Sequence, residues 1–263
     1  MAKTATLPAR KISDISRGDD PPYPPQAAYG RAAWLRPVTG QKVSGQADGS
    51  PRQSSSLAVM RDETIGSFLT RLAARSPAPG GGATGALHAA QAAALLAMVA
   101  RFSDGPRYDA ETVGRVRAAA DGLADEAAGL AVADEAAFEK VAAAYLLPKD
   151  TPEAKAARSA AIADAAAGAA QPPADLMAAS VRLVGLAEEL LTAANKNVIS
   201  DVAAAAAAIA AAAVTAAVNI EANLPSITDE ALKEELSATA ALADGVADRA
   251  GRLITAVREE MAQ

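Results

Sequence analysis

The feature that most constrains this chain is a run of 17 residues, 202–218, that carries no charge and consists mostly of alanine. Alanine has the highest helix propensity of all residues, whereas strands favour β-branched and aromatic side chains. The run is therefore predicted to be a helix. It lies at the lower length limit for a membrane span and alanine is only weakly apolar, so we expect a buried core helix and no membrane association.

The whole composition extends this pattern, since 74 of the 263 residues are alanine and 3% are aromatic. We expect an all-α fold, a multi-helix bundle in which small side chains pack closely around a long alanine-rich central helix. The sequence has no cysteine and one histidine, His88, which excludes disulfides, thiolate sites and a multi-histidine metal centre. No metal site is predicted. The net charge of −6 argues against nucleic-acid binding.

The charge distribution divides the chain near residue 60. Residues 1–59 carry eight Lys and Arg against four Asp and Glu, whereas residues 60–263 are acidic. The first segment is rich in Pro, Ser and Gly, without apolar periodicity or a secretory-type apolar run. We predict a disordered N-terminal tail over 1–59, with a short partner-binding motif around Trp34 as the alternative. A helical domain is expected over 60–263, in a cytoplasmic protein.

Apolar periodicity and proline positions predict seven helices after residue 60. The first, at 62–73, is amphipathic with Asp62 as its N-cap. The prolines in 171–173 are expected to end one helix and begin the next, because proline lacks the backbone donor. A single charged amphipathic helix from about 228 to 261, with Asp229 near its start, closes the chain. The remaining helices are predicted at about 81–102, 110–146, 152–171, 173–194 and 198–221.

Five polar side chains share one arc of the alanine-rich helix, about 80° wide at 100° per residue. They are Asn197, Asp201, Thr215, Asn219 and Asn223. These groups either form hydrogen bonds with neighbouring helices or solvent, or line a polar site. Asp201 and Asn219 are 18 residues apart, about 27 Å along a helix. One small-molecule site in one subunit cannot easily use both.

Two copies of this helix, one from each chain of a dimer, could bring these two residues close together. If they crossed antiparallel near Ala210, Asp201 of one chain would approach Asn219 of the other. Alanine surfaces permit such a close crossing. The hypothesis is therefore a two-fold homodimer with this helix at its centre.

The sequence Pro79-Gly80-Gly81-Gly82 begins a predicted helix with backbone N–H groups that no side chain obstructs. Such a helix start can bind an anion, although the glycines could equally serve close helix packing. His88, further along the same helix among alanines, is expected to be a packing residue more than a base.

Three motifs are the most specific features of the chain: the turn from Ser76 to Gly82, the pair Ser200-Asp201, and the pair Asn219 and Asn223. They lie within five blocks, which cover 68–82, 98–100, 134–138 with 144–149, 195–201 and 218–224. In order and spacing these blocks resemble the cyclodeaminase/cyclohydrolase family of folate enzymes. That family includes the C-terminal domain of formiminotransferase-cyclodeaminase and the stand-alone methenyltetrahydrofolate cyclohydrolase. Lys196 departs from the pattern, since the family often has proline there.

The resemblance implies an all-helical homodimer built on a long central helix, with a folate as its ligand. It implies either hydrolysis of 5,10-methenyltetrahydrofolate to 10-formyltetrahydrofolate or cyclisation of 5-formiminotetrahydrofolate with release of ammonia. We expect the cyclohydrolase reaction, with the cyclodeaminase as the alternative, because no formiminotransferase domain is present. A non-catalytic folate-binding or structural helical dimer is the alternative from another class. No cofactor is expected besides the tetrahydrofolate substrate.

Asp201 is expected to be the catalytic base, since a carboxylate can accept a proton from water or N10 and stabilise a cationic amidinium. Asparagine side chains would orient water or the pterin, and Lys149 would face the anionic glutamate tail, with Arg107, Arg158 and Lys196 as further cations. The predicted substrate-binding residues are Ser76, Gly80, Gly81, Gly82, Lys149, Asn197, Asn219 and Asn223.

Overall fold

The structure is a computed structural model that describes residues 63–263, so the predictions for the tail over 1–59 lie outside it. The described part of the chain consists of helices without any strand, and the all-α prediction is confirmed. The seven α-helices are α1 (Ile65–Leu72), α2 (Gly81–Phe102), α3 (Ala110–Tyr145), α4 (Pro152–Ala193), α5 (Ile199–Asn223), α6 (Glu230–Ala240) and α7 (Leu242–Met261). Short 3-10 helices, Lys196–Val198 and Leu224–Ser226, flank α5.

The alanine-rich helix α5 is the structural centre of the bundle. It packs against α2, α4 and α7, and α3 packs against α2 and α4. Within the described residues, 26 of the 46 buried apolar side chains are alanine, and none is aromatic. The backbones of neighbouring helices can therefore approach closely, which keeps the interior dense despite its small side chains.

Short polar side chains define the starts of four helices. Thr64, Asp109, Thr151 and Asp229 each accept hydrogen bonds from first-turn N–H groups. The assignment of Asp62 as the first N-cap is wrong, because α1 begins at Ile65 and the Thr64 hydroxyl accepts from the Ser67 N–H. The position of Asp229 at the start of its helix is confirmed.

The proline pair does not interrupt α4, which continues through Pro172 and Pro173 as a helix of 42 residues. The predicted break into 152–171 and 173–194 is therefore wrong. Each proline removes one backbone donor, which leaves the carbonyl groups of Gly168 and Ala169 without their helical partners. Both proline rings are buried, and this burial of apolar surface offsets the local penalty of about 3 kcal/mol per proline.

The C-terminal region contains two helices, so the prediction of a single helix over 228–261 is also wrong. The chain turns at Ala241, whose N–H donates to the carbonyl groups of Ser237 and Thr239. Leu236 and Ala240 on α6 and Ala243 and Val246 on α7 are buried on both sides of this turn.

Two segments, Gly81–Phe102 and Lys196–Ser226, are long and apolar enough to span a membrane by composition alone. In the bundle 56% of the apolar window of the first and 44% of that of the second are buried inside the protein. The alanine run at 202–218 is thus packed within the fold, as expected. The absence of membrane association remains a prediction.

Candidate functional site

The glycine turn leads directly into α2 and fixes the orientation of its first residues. Gly80 is the N-cap, and its carbonyl group accepts hydrogen bonds from the Thr84 N–H and hydroxyl at 3.1 and 3.0 Å. The Ser76 hydroxyl donates to the Ala78 carbonyl at 2.9 Å, just before a cis Ala78–Pro79 bond. Ser76 therefore stabilises the turn, and its predicted contact with substrate remains a prediction.

Asp134 of α3 occupies the space beside Gly82. A Cβ atom at residue 82 would overlap the Asp134 carboxylate, so this approach requires glycine. The carboxylate accepts a hydrogen bond from the Ala83 N–H, one of the donors that a helix start leaves without an intrahelical acceptor. The acceptor at the start of α2 is therefore a side chain of the protein itself.

The environment of Asp134 favours its protonated form. Burial raises the pKa of the Asp134 carboxyl above its ordinary value, the Ala83 hydrogen bond acts against this, and the charge of Glu135 adds to the rise. Glu135 itself accepts from Arg71 at 3.0 Å, and the same guanidinium binds Glu63 at 2.9 Å. A carboxyl group with a raised pKa in a cleft is suited to holding and releasing a proton.

Asn219 of α5 completes a narrow cleft beside the Asp134 carboxylate, which within one protomer is too closely packed to admit a water molecule. The cleft is lined by Gly82, Ala86, Leu130, Asp134, Pro172, Pro173, Leu176, Ala216 and Asn219. The Asn219 amide donates to the Thr215 carbonyl at 2.8 Å, and the Asn223 amide donates to the Asn219 carbonyl at 2.9 Å. These bonds use one N–H of each amide and leave the other N–H and the side-chain oxygens free for a ligand.

Asn197 and Asp201 lie at the opposite end of α5. There Asn195 donates from its backbone to the Ser103 hydroxyl at 2.8 Å and from its side chain to the Phe102 carbonyl at 3.0 Å. These bonds fix the start of α5 against the C-terminus of α2. The half-buried Asp201 carboxylate has no hydrogen-bond or ion-pair partner among residues 63–263.

Within one protomer the predicted site is therefore divided. The glycine turn meets Asn219 at one end of α5, where Gly81 faces the Asn219 side chain, and Asn223 follows one turn later. Asp201 precedes Asn219 by 18 residues, which corresponds to about 27 Å. A single chain does not bring these two groups together.

The predicted cations also lie away from the cleft. Lys149 is exposed in the turn after α3. Arg158 donates to the Tyr145 carbonyl at 3.1 Å and lies over the Tyr145 ring, and Lys196 pairs with Glu260 at 3.2 Å. Arg158 and Lys196 thus already have partners within the protein.

Asp134 is a candidate site residue that the sequence-based reasoning did not single out. It falls in the block at 134–138 that resembles the family, but on α3 it is one of several acidic residues without a distinguishing local pattern. The only signal was Gly82, which leaves room for a partner without naming it.

Comparison with known proteins agrees with the motif resemblance. The family model described as formiminotransferase-cyclodeaminase matches residues 64–242. The methenyltetrahydrofolate cyclohydrolase of Methylorubrum extorquens is 36% identical over 66% of this chain and 85% of its own length. The formimidoyltransferase-cyclodeaminase of Rattus norvegicus is 32% identical over 72% of this chain and 34% of its own length. The chain thus spans about a third of that longer relative.

The fold is similar to a solved structure as well. The crystal structure of formiminotetrahydrofolate cyclodeaminase from Thermotoga maritima matches with a TM-score of 0.64 and 30% identity, covering 74% of this chain and 97% of that one. The region matched by the family model contains the glycine turn, Asp134 and all of α5. On both sequence and fold, the chain belongs to the formiminotransferase-cyclodeaminase family.

Proposed function

We propose that this chain hydrolyses 5,10-methenyltetrahydrofolate to 10-formyltetrahydrofolate. The observation that carries the proposal is the Asp134 carboxylate, held over Gly82 in the cleft that Asn219 lines. Opening the methenyl bridge needs a proton donor at N5, and a carboxyl group fixed in this cleft can supply that proton. The similarity to a cyclohydrolase, most of whose length this chain covers, supports the same reaction.

The proposed hydrolysis needs one proton acceptor and one proton donor. Water adds its oxygen to the carbon between N5 and N10, and a water proton passes to the acceptor. The bond from this tetrahedral carbon to N5 then breaks, and N5 takes up a proton from the donor. The remaining hydroxyl proton is lost to solvent as the formyl C=O forms. Asp134 is the donor, because its raised pKa favours the protonated form. The side-chain oxygens of Asn219 and Asn223 orient the water or the pterin.

Asp201 is the proton acceptor in this proposal, and it acts in the site of a second copy. The outward face of α5 is apolar and uncovered, with Val214 49% and Val218 57% exposed and Ala204 and Ala207 beside them. A two-fold antiparallel crossing of such faces near Ala210 would bury them and carry Asp201 toward the other chain's Asn219. The proposed enzyme is therefore a homodimer, and each site uses both chains.

The second candidate is the cyclodeaminase reaction, which the likeness to the Thermotoga maritima enzyme supports. In that reaction N10 attacks the formimino carbon of 5-formiminotetrahydrofolate and ammonia leaves. The tetrahedral carbon again lies between N5 and N10, so the same carboxylates and amides would serve. Neither reaction requires a metal or redox cofactor, and both fit a cytoplasmic protein.

The two reactions are separated by supplying each folate in turn and following the absorbance of the methenyl group. A cyclohydrolase consumes methenyltetrahydrofolate, whereas a cyclodeaminase produces it together with ammonia. Binding of a folate without turnover in either assay would favour a binding protein. Neither binding nor turnover would contradict the folate proposal altogether.

A further inference from the structure

A groove between α3 and α4 begins one helical turn from the Asp134 cleft, is open to solvent and has a volume of about 560 Å³. Ala137 of the groove follows Asp134 by three residues, and Gly168 precedes Pro172 by four. Side chains at these spacings share a helix face, so both walls of the groove continue into the cleft. Along α3, the ten residues from Asp134 to Ala144 extend about 15 Å.

The lining of the groove is apolar with one charge of each sign. Alanines form most of both walls, and Leu147 lines the groove beyond the end of α3. Lys140 of α3 and Asp164 of α4 are exposed on opposite walls, and neither has a side-chain partner among the described residues. The volume is typical of a small-molecule site. Such a slot fits a flat aromatic amide that carries a carboxylate.

We propose that this groove binds the aminobenzoylglutamate part of the folate substrate, an inference that rests on the proposed function. N10 of a tetrahydrofolate joins the reacting carbon to the aminobenzoyl ring, so a substrate that reacts at Asp134 extends this ring away from the cleft. The ring lies against the alanine walls, a glutamate carboxylate pairs with Lys140, and Asp164 accepts the amide N–H. Lys149, two residues beyond Leu147, is in place for additional glutamates.

The sharpest test fills the groove without disturbing the helix. A Cβ atom at Gly168 meets nothing within 4 Å, and the same is true at Gly122 on α3, outside the groove. Gly168→Leu is expected to raise the KM for the folate substrate by about tenfold or more, because one added side chain in a pocket has effects of that size. Gly122→Leu is the matched control and leaves KM unchanged.

A second pair of variants tests the charge. Lys140→Gln is expected to raise KM by about fivefold, the usual scale for a partly exposed ion pair, with little change in kcat. Lys155→Gln replaces an exposed lysine of α4 outside the groove and serves as the control. The KM effect of Lys140→Gln should be lost on a substrate in which a methylamide replaces the glutamate, since that molecule keeps the amide N–H but has no carboxylate for the lysine.

Calorimetric binding of p-aminobenzoylglutamate separates this inference from the proposed function, because it needs no turnover. Binding to the wild type and to Gly122→Leu, but not to Gly168→Leu, would support the groove as its site. Turnover by the wild type with equal KM values for both leucine variants would overturn the groove and leave the proposed function intact. Absence of turnover in the wild type would instead contradict the proposed function, while the calorimetry would still decide the binding site.

Discussion

Asp134 owes its position to the missing side chain at Gly82. The carboxylate fills the volume that any other residue at 82 would occupy, and it accepts from the N–H of the following residue, Ala83. The contact therefore fixes α3 against the start of α2 and at the same time places a carboxyl group in the cleft. The packing contact and the proposed chemical role belong to the same side chain, so tests of Asp134 must separate them.

Asp134→Asn is expected to lower kcat by about 100-fold or more, since it removes the proposed proton donor while keeping nearly the same shape. The measurement is the initial rate of methenyl absorbance change at saturating substrate. Glu139→Gln, an exposed carboxylate of the same helix, is the control and should leave the rate unchanged. A folded Asp134→Asn variant with wild-type kcat would remove Asp134 from the mechanism.

The raised pKa of Asp134 also predicts how stability depends on pH. Between the ordinary carboxyl value and the raised value, the folded protein binds more protons at this group than the unfolded chain does. The free energy of unfolding contributed by Asp134 therefore falls as pH increases through this window and stays low above it. Urea unfolding from pH 4 to pH 7 should show Asp134→Asn gaining stability relative to the wild type. A difference that is constant with pH would contradict the assignment.

The sequence predicted the glycine turn and Asn219 as parts of the candidate site, but it did not predict Asp134. The glycine turn stands out because three consecutive glycines are unusual at the start of a helix. Asn219 stands out because it is a polar residue next to a run of alanines. Asp134 does not stand out, because an acidic residue on an amphipathic helix is expected at the surface. Its role follows from a contact between residues 52 positions apart, and no local pattern encodes that contact.

Among the helices, α1 depends most on a single side chain. It has no buried residue, and its Ile65 is 80% exposed. Arg71 joins it to α3 by donating to Glu135 while it also binds Glu63. The guanidinium uses its planar geometry on both carboxylates, which a smaller cation could not reproduce.

Arg71→Met is expected to release α1 while leaving the bundle folded, because methionine keeps an apolar stem but no donor. Cleavage by chymotrypsin after Phe68 should become about fivefold faster, the scale of a lost exposed ion pair. Mass spectrometry of the fragments gives the rate. Arg182→Met, which removes the pair between α4 and Glu126 of α3, is the control. Equal cleavage of the two variants would show that Arg71 does not hold α1.

Helix boundaries were predictable where local rules agree with packing. The bounds of α2 match the expected 81–102, because the glycines and Pro106 mark both ends. Pro172 and Pro173 led to a wrong break, because proline rules describe an isolated helix and omit the burial of the rings. The turn at Ala241 was missed for a related reason, since alanine gives no local signal for a bend.

For the whole molecule, the separation of Asp201 from the cleft makes assembly a condition of the proposed mechanism. Val214→Arg introduces a charge on the outward face of α5, where the chain by itself leaves the position half exposed. We expect this variant to stay folded and to sediment as a monomer, while the wild type sediments as a dimer. Val132→Arg, a partly buried position of α3 away from this face, is a control that should remain dimeric. A monomeric wild type would refute the shared site.

Mixing two inactive variants tests whether the site is shared between chains. If Asp134 of one chain works with Asp201 of the other, a heterodimer of Asp134→Asn and Asp201→Asn contains one intact site. Random exchange should then restore about a quarter of the wild-type activity, since half of the dimers are mixed and each has one working site. Activity that stays at the level of the separate variants would place both carboxylates in one chain or exclude one of them.

The alanine-rich interior reverses the usual consequence of mutation in a core. In most proteins a random apolar substitution shortens a buried side chain and creates a cavity. Where the native residue is already alanine, as at Ala205, Ala206, Ala212 and Ala213 on α5, nearly every substitution adds volume and forces the helices apart. Such a protein has little room for neutral drift inside, so its sequence is expected to diversify mainly on its outer helix faces.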